Sequence, residues 1–238
     1  MAAIYKKELR NYFTTPLGYV FIGVFLAVSG FLFAVSTLQQ RSSDISGYFQ
    51  LMIFGYIVIV PILTMRSFAE EKRTKTDQLL MTSPVSIPAM VMAKFLAALT
   101  MFAGTVLLSC LYYLPLAKYL PENTKLNVGK AAGCLIAMLL LGMCFVAVGI
   151  FVSTLTESTV TAAVGTMGVL LAFVGAALFN SLIDSYLVRS VLSWISVYSR
   201  YGNFAIGQFD IAATVYYISI TAVFLFLATR ICERRRYA

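Results

Sequence analysis

An all-α membrane protein is the fold class this sequence predicts, and three observations carry the prediction. Mean hydropathy is +0.86 over 238 residues, with 60% hydrophobic and only 12% charged residues, far more apolar than a soluble domain of that length. About six apolar stretches reach the roughly 20 residues a helix needs to cross a bilayer. These stretches are continuously apolar and do not alternate as barrel strands would, which leaves helices as the spanning form. The expected spans run over about 17–38, 48–65, 88–116, 128–152, 159–179 and 211–231, within a single transmembrane domain covering 1–238.

Residues 1–16 come before the first span. Ile4, Tyr5, Leu9, Tyr12 and Phe13 recur at a spacing near 3.6, with Lys6, Lys7 and Arg10 between them, which predicts an amphipathic helix lying in the membrane interface and anchored by those three cations. Pro16, with Gly18 beyond it, breaks that helix before the span. A cleaved signal peptide is the competing reading. It is disfavoured because the apolar run exceeds the usual 7 to 15 residues and an amphipathic segment precedes it.

Lysine and arginine set the orientation. With the N-terminus cytoplasmic, about twelve basic residues face the inner side against about six outside, and both termini are inside. Pro61 is placed to kink the second span. Gly149 and Ser153 in the fourth span, and Gly168, Ala172 and Ala176 in the fifth, are spaced for close helix packing, within the chain or between subunits. Lys94 and Lys130 lie near span ends, from which their ammonium groups are expected to snorkel.

The outer loop, 180–210, is the longest on its side. Leu187, Val191, Trp194, Ile195 and Tyr198 share a helical face there, bracketed by Arg189 and Arg200, which predicts a re-entrant or interfacial helix.

Several chemistries are excluded or disfavoured. The chain has no histidine, which removes the usual imidazole base and the HExxH zinc site. Cys110, Cys134, Cys144 and Cys232 lack CxxC spacing and read as small core residues, with no metal site expected. No carboxylate falls in the middle of a span, which argues against ion-coupled carriers and aspartyl proteases; Asp184 and Asp210 belong to the outer loop. The net charge of +8 gathers at segment ends rather than on a face with interleaved aromatics, so nucleic acid is not an expected partner. No catalytic residue is assigned.

One charged stretch remains, "RSFAEEKRTKTDQLLMTSPVS", the inner loop 66–86. Glu71 with Lys75, and Arg73 with Asp77, stand at i,i+4 and support a short helix that Ser83-Pro84 ends; Ser86 is placed to cap the third span, with Pro88 in its first turn.

This stretch resembles the loop between the second and third spans of exporter-class, ABC-2 type ABC transporter permeases, where an acidic pair, basic residues, Gly-Thr, Leu-Leu and a proline follow one another. The likeness extends through "KKELRNYFTTPLGYVF" and "STLTESTVTAAV" to "FDIAATVYYISITAVFLFLATRICERRR", the last similar to the gliding-motility permease subgroup. Lys75 stands where that family commonly has glycine.

The resemblance implies a permease subunit that couples ATP hydrolysis by a separate ABC ATPase to export or envelope-related transport. It makes Glu70, Glu71, Lys72, Arg73, Lys75, Asp77, Leu79, Leu80 and Pro84 the main ATPase-coupling segment. Thr154, Thr156 and Glu157, in the turn from Ser153 to Ser158, become a second contact. It also implies a second permease copy or a related permease, membrane lipid and further envelope subunits as partners, in the inner membrane of a bacterium. ATP and magnesium would belong to the partner ATPase, since no GxxxxGK[ST] loop occurs here. A stand-alone channel or secondary carrier is the alternative, and a membrane enzyme a third reading.

Overall fold

The computed structural model describes residues 1–38, 46–76, 86–112, 128–179 and 196–237. Among them 89% are helical and no strand occurs. The amphipathic start forms α1 (Ala2–Thr14). Thr15 is extended, as a residue before proline prefers, and Pro16 opens α2 (Pro16–Phe33), which runs on as a π-helical turn to Leu38. Then follow α3 (Ser46–Thr64), the short α4 (Ala69–Arg73), α5 (Ile87–Ser109), α6 (Val128–Leu155), α7 (Thr159–Phe179), the short α8 (Gly202–Ala205) and α9 (Ile211–Tyr237).

Among the described residues six helices, α2, α3, α5, α6, α7 and α9, are long and apolar enough to cross a membrane. The helix α6 runs on to Leu155 and α9 to Tyr237, past the ends expected from hydropathy, because helical hydrogen bonding does not stop where the apolar run does. Ser86 takes the position before α5 with its main chain alone, its carbonyl accepting from Met90 N at 3.1 Å; its side chain makes no cap bond.

The helix α6 is the hub and packs against α3, α5, α7 and α9. Its glycines permit this. A Cβ on Gly149 would stand 2.2 Å from Thr64 Oγ1, and one on Gly142 would stand 2.0 Å from the Phe102 ring. Phe102 is itself held between Phe25 and Tyr56, with ring centroids 6.3 and 5.0 Å away, so α2, α3, α5 and α6 share one interdigitated core. Gly149 is thus spent on packing within the chain, whereas Gly168 meets open space and Ala172 is exposed.

At the outer end, residues 196–210 fold back onto the bundle. Val197 and Phe204 are buried, Tyr217 Oη donates to Val197 O at 2.9 Å, and the Arg200 guanidinium lies 4.2 Å from the Tyr216 ring centre. Asp210 caps α9, its Oδ1 accepting from Ala212 N at 2.8 Å and Ala213 N at 3.2 Å, while Asn203 Nδ2 donates to Oδ2 at 2.7 Å. The segment containing Leu187, Val191, Trp194 and Ile195, expected to be re-entrant or interfacial, lies outside the described residues.

Candidate functional site

The opposite end carries α1, α4, the α6–α7 turn and the end of α9, and here the charged residues gather. Chain direction explains the meeting. The end of α3, the start of α5, the end of α6 and the end of α9 all reach this side, so segments far apart in sequence share one layer.

The short helix α4 lacks a cap of its own, since Phe68 at its N-cap position has no side-chain acceptor. Ser153 of α6 supplies one. Its Oγ accepts from Phe68 N at 3.0 Å and Ala69 N at 3.1 Å and donates to Met65 O at 3.4 Å, satisfying backbone groups that burial would otherwise leave orphaned. A second tie follows immediately. Lys72, only 8% exposed, donates from Nζ to the carbonyl of Thr154, a main-chain acceptor freed by the end of α6. Residues 66–76 and the start of the 153–158 turn are therefore joined into one surface.

The far end of α4 is a Schellman motif: Lys75 N donates to Lys72 O at 3.1 Å and Thr76 N to Glu71 O at 3.0 Å. Lys75 takes φ +56° to close it, the left-handed conformation that glycine adopts without strain. This closure corrects the expected Glu71–Lys75 pair. The helix stops at Arg73, and Glu71 turns inward instead.

The inward partner is Lys94 of α5, which sequence reasoning placed at a snorkelling position. Lys94 does not snorkel. Its side chain is 1% exposed, and Nζ sits 2.8 Å from Glu71 Oε1, 3.1 Å from Glu8 Oε1 and 2.6 Å from Ser67 O, with the Phe68 ring centre 4.8 Å away. A desolvated ammonium needs such partners, and the inner layer supplies them from α1 and α4. Lys7 adds an outer, largely exposed contact to Glu71 at 3.9 Å. Tyr12 completes the seat of α1, its hydroxyl donating to Leu63 O at 3.3 Å, with burial and the nearby Glu8 pushing its phenol well above the ordinary range.

What remains outward is a distinct set. Glu70 is partly exposed and holds Arg66 at 3.7 Å and Arg73 at 4.0 Å; Arg73 and Lys75 are exposed. Glu157 is exposed, with its Oε1 3.4 Å from Arg235 of α9, and Thr156 is half-buried beside it. Thr154 is buried, its hydroxyl spent on Phe151 O at 2.6 Å. Lys6, Lys7 and Arg10 lie on the exposed side of α1, while Ile4, Tyr5 and Leu9 pack against the bundle. Asp77, Leu79, Leu80 and Pro84 lie outside the described residues. Lys94, Glu8 and the capping role of Ser153 were missed in the sequence; the available signal was a lone lysine two turns inside an apolar run.

Among the described residues no group of three or more His, Cys, Asp or Glu is placed to hold a metal. The surface is a set of charges on a ledge tied to α6. Residues 2–228 match the family model described as ABC-2 family transporter protein. The chain belongs to that family. No individually curated protein matches it. As an ABC-2 transporter protein it is a multi-pass membrane permease.

Proposed function

We propose that this permease is driven by separate ATP-binding subunits, which dock on the ledge formed by α4 and the 153–158 turn. The observation that carries the reading is the tie between those segments: Ser153 caps α4, and Lys72 holds the carbonyl of Thr154, so a push on either is felt by the hub helix α6. Glu70, Arg73, Lys75, Thr156 and Glu157 present the partner-facing side chains. Charges so placed set docking orientation more than affinity. Glu71, Lys72 and Thr154 serve from beneath, by holding the ledge in shape.

ATP and magnesium are bound by the partner, whose nucleotide-driven closure carries the ledge with it and shifts the spans as rigid bodies, in the sense of export. A second permease copy or a related permease completes the path, and the inner membrane of a bacterium is the setting that the lysine bias and the family resemblance support. The ending of the chain supports a place near the gliding-motility permeases, with further envelope subunits as partners.

Purification from the native membrane in mild detergent tests the reading. An ATP-binding chain should copurify, and the paired reversal Glu70→Arg with Arg73→Glu should release it while permease abundance is unchanged. Ion or solute flux through the purified chain alone, with no ATPase recovered, would favour the channel or carrier reading instead.

A further inference from the structure

The helix α1 packs on α5 and α2, whereas α4 packs on α6 and α7. A cavity of about 120 Å³, lined by Glu8, Tyr12, Arg66, Ser67 and Glu70, separates α1 from the entry to α4. The two elements nevertheless converge on a single buried atom. Lys94 Nζ holds Glu8 of α1 at 3.1 Å and Glu71 of α4 at 2.8 Å, from a side chain with no exposure to spare.

A buried cation shared by two carboxylates cannot release one without cost, because no water replaces the lost partner. Both helices are thereby held to the second turn of a span. We infer that Lys94 is a transmission residue: it makes α1 a working part of the coupling device, so that displacement of α4 is delivered through Glu71, Lys94 and Glu8 into α5 and α1 together. The interfacial helix is then more than an anchor. The inference rests on docking at α4 and deepens it by assigning α1 and Lys94 their part. Tyr5 Oη, 3.0 Å from Thr100 Oγ1, extends the contact of α1 further along α5, which gives that motion a path into the span.

Amide hydrogen exchange on the purified permease–ATPase complex tests it, with and without Mg-ATP and vanadate. In the unaltered complex the nucleotide changes exchange in residues 66–76 and in residues 2–14. Glu8→Gln abolishes the change in 2–14 and preserves that in 66–76; Glu8→Asp, which keeps the carboxylate, shows both changes. An α1 that never responds to nucleotide, or that responds equally in Glu8→Gln, would overturn the inference. Failure of docking itself looks different: no ATPase is recovered, and residues 66–76 do not respond.

Discussion

Ser153→Ala removes one oxygen and strands two buried amides. Phe68 and Ala69 are 4% and 0% exposed, so water cannot reach their N–H groups once Ser153 Oγ is gone. A buried donor left unsatisfied costs about 1–3 kcal/mol, and loss of a cap about 0.5–2 kcal/mol; allowing for partial relaxation, the ledge should lose about 2–4 kcal/mol of local stability. At about 1.4 kcal/mol per tenfold, the amides of 66–76 should exchange roughly 30- to 700-fold faster, and ATPase capture should weaken in the same direction. The neighbouring residue is an internal control. Thr154 Oγ1 bonds only within its own helix, to Phe151 O, and Thr154→Ala leaves intact the carbonyl that receives Lys72, so its effect should stay near 0.5–1 kcal/mol, an order-of-magnitude figure for one hydrogen bond. Equal exchange in the Ser153→Ala variant and the unaltered chain would refute the capping argument.

Other outcomes follow from the same geometry. Gly142→Ala drives a methyl into the Phe102 ring and should lower thermal stability in detergent by about 1–3 kcal/mol, with partial recovery in Gly142→Ala/Phe102→Leu, which removes the nearest ring atoms. Lys75→Gly relieves the left-handed residue that closes α4 and should stabilise the ledge by about 1 kcal/mol, seen as slower exchange in 66–76, whereas Lys75→Val should hasten it. Asp210 has its carboxyl held below the ordinary carboxylate range, first by the Asn203 side chain and then by the Ala213 amide. A depressed folded value means that its cap is fully present above the unfolded value of about 4 and is lost as pH falls through the folded one; the protection of the Ala212 and Ala213 amides, taken relative to their intrinsic exchange at each pH, should therefore fall in acid in the unaltered chain, and the response should flatten in Asp210→Asn.

The spans were legible because hydropathy is a local quantity: a run such as 128–152 announces its solvent whatever it packs against. The ledge was legible by charge density, and the turn after α6 by resemblance. Pairing was not. A local reading gave Glu71 to Lys75, an exposed i,i+4 pair worth a few tenths of a kcal/mol. The fold gives Glu71 to Lys94, because a desolvated ammonium claims a carboxylate far more strongly than a solvated one does. The decisive contacts join Lys94 to Glu8 and Ser153 to Phe68, which lie 86 and 85 residues apart, a separation that no periodicity spans. Likewise Ser153 read as a small packing residue. Its hydroxyl became a cap only because Gly149, one turn earlier, lets α6 close on α3 and brings it beneath α4.

Site-specific photocross-linking in native membranes tests the central claim most directly. Cross-linkers placed at Arg73, Lys75 and Glu157 should each capture an ATP-binding protein, whereas one at the exposed Tyr19 of α2, and one at Asn203 on the outer end, should not. Capture of that protein from position 203, or its absence from positions 73, 75 and 157 while it copurifies with the chain, would contradict the account.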